Sequence, residues 1–209
     1  MYAKCWKRVF DFLIALFSLL LLSPILTVLT VVVAIVMKGN PFFTQVRPGW
    51  HEKRFRLIKF RSMTNEKDEK GDLLPDDQRL NRFGRLLRST SLDELPELIN
   101  ILKGDMSLVG PRPLLEAYLP YYTPEERRRH DIRPGLTGLA QINGRNVTGW
   151  DEHFQQDLYY VRNISLPLDC KILMKTVGKV FKRSDILVGQ QHGEGHGRLD
   201  VVRAGRKAE

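Results

Sequence analysis

Hydrophobic and polar positions divide the chain into one long apolar stretch and a series of short patterned segments. From Phe12 to Met37 there are 26 residues without a formal charge. As a straight helix this stretch would reach about 39 Å, against a bilayer hydrocarbon core of about 30 Å. It is too long for a cleavable signal peptide, and no small-x-small site follows it. Ser23-Pro24 sits in its middle, where proline removes an N–H and crowds the carbonyl four residues back. The hydroxyls of Ser23 and Thr27 are placed to satisfy the freed backbone groups. Basic residues flank both ends. Residues 1–11 carry Lys4, Lys7 and Arg8 against Asp11, and residues 38–64 carry seven Lys or Arg against Glu52. Such residues favour the cytoplasmic side. The pattern leaves open a re-entrant helix-break-helix, a tilted crossing, and a buried hydrophobic hairpin.

Beyond Lys38 the patterns are shorter. Pro41–Val46 is β-prone, and Arg47-Pro48-Gly49 punctuates it as a turn. Arg54–Met63 alternates, with Phe55, Leu57 and Phe60 set against Arg56, Lys59 and Arg61, so a hairpin is expected. Its basic side is either a solvated edge or a phosphate-facing surface. Residues 64–78 are expected to form a loop, Asp77–Arg88 a short helix interrupted at Gly84, and Leu95–Leu102 another. Val109–Pro113 predicts a rigid turn. Thr123-Pro124-Glu125-Glu126 is a helix start with a capping threonine. The glycines of Asp131–Arg145 predict a loop. Trp150–Arg162 is helical, and Leu168–Arg183 is an amphipathic helix with Lys171, Lys175, Lys179 and Lys182 on one side. That helix suits either a membrane interface or a docked position with a solvated lysine face. Past Gly189 no periodicity remains, and the histidines there do not form a metal site.

Charge narrows the partners. The formal net charge of +9 favours anions. Zinc-finger spacings, a basic zipper and a Gly-rich dinucleotide fingerprint are all missing, so nucleic acid is not an expected partner. Cys5 and Cys170 are the only cysteines, which excludes a disulfide-stapled scaffold. No Gly-x-x-x-x-Gly-Lys-Ser/Thr and no His-Glu-x-x-His occurs.

The chemistry concentrates at Asp93-Glu94. Ser91 and Glu94 have capping-box spacing, in which Glu94 reaches back to the Ser91 N–H. Pro96 would then strain the helix. If the helix instead starts at Asp93, Pro96 is harmless, and both carboxylates crowd a helix N-terminus able to hold a divalent cation or receive a phosphate. The spacing leaves both open. Arg85, Arg88, Arg112, Arg133 and Arg145 sit beside Gly, Pro or element ends, and together they suit a diphosphate.

Several stretches resemble one family. They are Lys7-Arg8-Val9-Phe10-Asp11, Ser23-Pro24, Phe43-Thr44-Gln45-Val46-Arg47-Pro48-Gly49, Lys59-Phe60-Arg61-Ser62-Met63, Arg88 through Pro96, Gly104 through Pro113, and Arg133-Pro134-Gly135-Leu136-Thr137-Gly138. In this order they resemble the small monotopic phosphoglycosyl transferases of the bacterial sugar transferase family, the polyprenyl-phosphate glycosyl-1-phosphate transferases. Asn143-Gly144-Arg145-Asn146 and Tyr159 through Ser165 resemble the PglC-like branch, which handles diacetylbacillosamine.

The resemblance implies a mainly α fold with a small β-hairpin. It implies a monotopic membrane protein with a re-entrant helix broken at Ser23-Pro24 (residues 1–38), a cytoplasmic catalytic domain with interfacial helices (39–185), and a tail (186–209). It implies Asp93 as nucleophile, Asp93 and Glu94 as ligands of Mg2+, and Lys59, Arg88, Arg112, Arg133 and Arg145 as substrate contacts. The partners it implies are a UDP-sugar donor, a polyprenyl (undecaprenyl) phosphate acceptor and the lipids of the bacterial inner membrane. The rival readings are a nucleotide-sugar or lipid diphosphatase and a membrane-anchored basic scaffold.

Overall fold

The uncharged run folds as one helix, α1, over Lys7–Val36, entered through a π-helical turn at Tyr2–Trp6. The computed structural model describes residues 2–144, 149–182 and 197–204. Pro24 lies inside α1, and the helix continues through Ser23-Pro24 rather than dividing into two. The carbonyl that Pro24 leaves without an amide partner is that of Leu20, and the Ser23 hydroxyl donates to it at 2.8 Å. Thr27 donates to the Ser23 carbonyl at 2.9 Å. By length and composition α1 is able to cross a membrane, and almost none of its most apolar stretch is covered.

One stripe of α1 faces the rest of the protein. Lys7, Asp11, Ala15, Leu19, Leu22, Leu26, Leu29, Val33 and Met37 are buried or half-buried at spacings of three and four. The opposite face, with Phe17, Leu20, Leu21, Val28 and Ile35, is more than 60% exposed. Both ends of α1 are tied to the same body. At its start Ala15 joins the main core of Phe55, Leu57, Leu98, Ile101, Met106 and Ile172. At its end Val33 and Met37 pack with Phe60 and Leu87.

The expected hairpin forms. β1 (Phe42–Pro48) pairs antiparallel with β2 (Arg54–Phe60), from Phe42 opposite Phe60 to Pro48 opposite Arg54. Arg47 and Pro48 belong to the strand, and the reversal falls at Gly49–Lys53, where His51 and Glu52 take positive φ. Strand alternation places Lys59 and Arg61 on the same side as Phe55 and Leu57, not opposite them; Phe60 faces the other way and stacks on Phe42.

Two short helices follow, α2 (Asp76–Arg79) and α3 (Arg82–Ser89). The break between them is at Leu80-Asn81 rather than at Gly84, because the Asn81 side chain caps α3 by accepting from the Gly84 N–H at 2.8 Å. Gly84 serves packing: a Cβ there would lie 1.9 Å from the Ser62 carbonyl oxygen. Next comes α4 (Glu97–Lys103), closed by Gly104 at φ 91°.

The loop expected at Asp131–Arg145 needs correction, and the turn expected at Val109–Pro113 begins only after Val109, with residues 110–113 in neither helix nor strand. Ser107–Val109 (β3) pairs in parallel with Gly135–Thr137 (β4), and Leu139–Gly144 is helical (α6). Glycine allows the approach, since a Cβ on Gly135 would lie 2.1 Å from the Gly110 nitrogen. Between these strands α5 (Pro124–Arg127) starts with the complete Thr123/Glu126 capping box. α7 spans Trp150–Arg162 and α8 spans Leu166–Lys182. Part of the tail folds back as α9 (Leu199–Val202). There Leu199 is fully buried against Tyr118, Tyr122, Trp150 and Phe154, and Arg203 forks onto Glu126 at 2.8 and 2.9 Å. The expected site residue Arg145 and the tail histidines lie outside the described residues.

Candidate active site

Ser91 takes φ 55° and starts a 3-10 turn over Leu92–Glu94, and Pro96 stands at the N-cap of α4. Proline therefore costs α4 no hydrogen bond. Glu94 does not cap Ser91. Its Oε1 accepts from Arg112 at 2.7 Å and from Lys59 at 3.0 Å. Lys59 also lies 3.0 Å from Glu97 Oε1. The turn thus brings three carboxylates, Asp93, Glu94 and Glu97, beside two cations, and all three carboxylates are buried.

Asp93 differs from its neighbours. It is 4% exposed, and its Oδ1 is buried without a hydrogen-bond partner. Burial pushes its carboxyl up to about 6, and the charge of Glu94 adds to this while Lys59, Arg88 and Arg112 pull it down. Burial likewise pushes Glu97 up to about 7, against Lys59 and Arg112, with Glu94 adding to the rise. Burial also disfavours the charge on Arg112, but Glu94 and Glu97 outweigh it and hold the guanidinium above its ordinary value.

Asp93, Glu97, Lys59 and Arg112 open onto a cleft of about 270 Å3. The hairpin supplies one wall. Alternation sets Phe43, Gln45 and Arg47 of β1 beside Leu57 and Lys59 of β2 and the following Arg61, and all six line the cleft. Arg88 of α3, Arg79 of α2 and Arg112 close it. Several of these guanidinium groups keep a buried N–H without a partner: Nε of Arg47, Arg61 and Arg79, and Nη1 of Arg88. Burial, and then Arg112, lower Arg47 to about 10. Burial chiefly, with Arg79, lowers Arg88, while Asp93 and Asp76 oppose the shift. Desolvated donors without acceptors beside a carboxylate without a donor suit a polyanionic substrate such as a diphosphate.

The structure brings Asp93, Glu94, Lys59, Arg88 and Arg112 together as the sequence suggests. It does not bring Arg133. That side chain donates from Nε to the Gly104 carbonyl at 2.8 Å and lies 4.5 Å over the Trp50 ring, away from the cleft. Sequence reasoning missed Glu97, Arg47 and Arg79, and left Arg61 open as part of the hairpin's basic side. The parity of 43-45-47 with 57-59-61 was the signal for Arg47 and Arg61. Behind the site, fully buried Arg129 pairs with Asp157 at 2.7 Å and donates to the Arg112 carbonyl at 2.7 Å, which fixes the backbone that aims Arg112.

The described residues contain no group of three or more His, Cys, Asp or Glu arranged to hold a metal. Mg2+ in phosphoryl-transfer sites uses one or two carboxylates, with water and substrate phosphates filling the remaining positions. The orphaned Asp93 oxygen and the raised carboxyls beside it fit that arrangement.

The chain is 55% identical over 176 residues to the uncharacterized sugar transferase EpsL of Bacillus subtilis, covering 84% of this chain and 87% of EpsL. It is 42% identical over 186 residues to the UDP-glucose:undecaprenyl-phosphate glucose-1-phosphate transferase of Klebsiella pneumoniae, covering 84% of this chain but only 40% of that protein. A Caulobacter vibrioides protein with the same description is 40% identical, with 82% and 68% covered. Residues 2–183 match the bacterial sugar transferase family, which covers every element from α1 to α8, and the chain belongs to that family.

Proposed function

We propose that this protein transfers a sugar 1-phosphate from a UDP-sugar to a polyprenyl phosphate, by way of a phosphosugar held on Asp93. The observation that carries this is the Asp93 carboxylate, buried with a free oxygen in the wall of a cleft of arginines. A carboxylate so placed is a nucleophile for phosphorus. Its raised pKa still leaves it ionised at neutral pH.

In the first step an Asp93 oxygen attacks the sugar-bearing phosphorus, the anhydride bond breaks, and UMP departs with the electron pair. In the second step an oxygen of the lipid phosphate attacks the same phosphorus and returns Asp93 as a carboxylate. Arg47, Arg88 and Arg112 hold phosphate oxygens and stabilise charge as it moves onto them. Lys59 and Arg112 hold Glu94 in place. Mg2+, held by Asp93 and Glu94 together with the diphosphate, would neutralise charge on the transferred and leaving oxygens.

Membrane placement follows the same reading. Both ends of α1 pack on one body, which favours a monotopic arrangement with both basic flanks on the cytoplasmic face of the inner membrane. A crossing would part them. The bend would fall at Ser23-Pro24, where the Leu20 carbonyl is already served by a side chain. The exposed apolar face of α1 then lies in hydrocarbon, and the cleft sits at headgroup depth.

Named relatives use UDP-glucose, or in Aeromonas hydrophila UDP-N-acetylgalactosamine. For this chain we place UDP-N,N'-diacetylbacillosamine first, on the likeness of residues 143–146 and 159–165 to the PglC-like branch. The test is a panel of UDP-sugars with Mg2+ and no lipid. The preferred donor gives UMP in near-stoichiometric amount and a sugar-phosphate mass on Asp93. Free sugar phosphate as the main product, even with lipid present, would instead identify a diphosphatase.

A further inference from the structure

The cleft has two cationic ends, and their positions in the fold differ. Arg61 and Arg88 each directly follow a residue, Phe60 or Leu87, that is buried against Val33 and Met37 at the end of α1. The Arg61 N–H donates to the Pro41 carbonyl at 2.7 Å, just after α1 ends, and Arg88 Nε donates to Ser62 at 2.9 Å. Arg47 stands near the other end of the hairpin. Five residues of strand separate it from Phe42, about 17 Å at 3.4 Å per residue. Its neighbour there is Arg112, whose charge acts on it and whose carbonyl is held by Arg129.

The chemistry makes a demand on this layout. In an in-line displacement the leaving oxygen departs opposite the attacking one. UMP therefore leaves from the position opposite Asp93, and the lipid phosphate must enter by that same position. Both are phosphate monoesters. One phosphate subsite is used twice, and its second occupant arrives on a membrane-bound tail.

Resting on the proposed function, we infer that Arg61, Arg88 and Ser62, at the α1 end of the cleft, form this shared phosphate-monoester subsite. It is occupied first by the departing nucleotide phosphate and then by the lipid phosphate. Arg61 Nε and Arg88 Nη1 are the buried donors left for it. Phe43, 45% exposed beside them, offers apolar surface where the lipid chain would leave the cleft. Arg47 and Arg112 are then left to the phosphoryl group that stays on Asp93.

The test uses the full-length protein in lipid nanodiscs and separates the two half-reactions. Exchange of labelled UMP into UDP-sugar without lipid reports the first, and discharge of the Asp93 adduct by undecaprenyl phosphate reports the second. On the unaltered protein UMP is expected to compete with undecaprenyl phosphate, and this measurement needs no variant to fold. Arg61→Gln is expected to raise the half-saturating concentrations of UMP and of undecaprenyl phosphate together, each about tenfold. Non-competitive inhibition by UMP, or a change in only one of the two constants, overturns the shared subsite. No labelled exchange and no adduct in the unaltered protein would instead overturn the underlying two-step reaction.

Discussion

Two buried polar clusters in this protein hold similar residues in opposite states. At the start of α1, Asp169 accepts from Lys7 at 2.8 Å, Tyr2 at 2.7 Å and Tyr160 at 2.6 Å, and Asp11 accepts from the Ser107 hydroxyl at 2.6 Å and the Leu108 N–H at 3.1 Å. Both oxygens of each carboxylate are engaged. In the cleft, Asp93 Oδ1 has no donor, Arg47, Arg61 and Arg88 each keep an N–H without an acceptor, and carboxylates crowd one another. A satisfied buried network rigidifies, while a partly satisfied one is destabilising until a ligand completes it. The first cluster pins α1 to the rest of the protein. On the proposed function, the second keeps that strain for substrate.

The largest expected effect breaks the second cluster. Asp93→Asn removes the proposed nucleophile, and UMP release should fall at least about 1,000-fold with no adduct, as for loss of a group that bonds to the reacting atom. The same change should stabilise the fold. The carboxyl is raised from 3.8 to about 6, so the folded state binds its proton more tightly than the unfolded one and stability falls as pH rises through that window. The neutral variant avoids this penalty. Above pH 7 it should be more stable by about 2–3 kcal/mol, and the gain should vanish below about pH 3. Melting curves at several pH values check it. An Asn variant that melts lower at pH 8 would mean Asp93 is held as tightly as Asp169.

The opposite sign is expected for the first cluster. Asp169→Ala leaves the Lys7 ammonium buried with only Asp11, at 3.8 Å. Breaking a buried pair in this way typically costs about 3–5 kcal/mol. Melting should drop sharply and residues 2–15 should become protease-sensitive. Replacing both partners, Lys7→Met with Asp169→Leu, should recover much of the loss, because no charge is then stranded.

How much of this contrast was legible beforehand depended on range along the chain. α7 could be read because its pattern is local, and the Thr123 capping box because its parts lie three residues apart. Asp93 and Glu94 stood out as adjacent acids, yet their difference did not. It depends on Lys59 and Arg112, 35 and 18 residues from Glu94. The parallel pair β3–β4 offers only three residues per strand among glycines, so local pattern favoured a loop. Arg133 was misplaced because an arginine beside Pro-Gly gives no hint of the Trp50 ring, 83 residues earlier in the chain, against which it stacks. Asp169 was read only as part of an amphipathic helix; its partners Tyr2 and Lys7 lie 167 and 162 residues earlier in the chain.

The smallest effect sharpens the comparison from within the cleft. Lys59 is the strongest influence drawing Asp93 and Glu97 down against burial. On the proposed mechanism the reactive form of Asp93 is the ionised one, so kcat/KM for the first half-reaction should fall as pH drops below about 6–7. That half-reaction is the right one to follow, since the donor diphosphate stays ionised throughout this range while a phosphate monoester acceptor would titrate within it. Lys59→Gln removes the counter-charge, so both carboxyls rise and the acid limb should move up by about one pH unit. The rate at alkaline pH should fall less than at pH 6.5, because enough hydroxide recovers the ionised carboxylate. A limb that stays in place while the rate falls equally at every pH would show that Lys59 serves only to hold substrate. The raised carboxyls would then owe their position to burial alone.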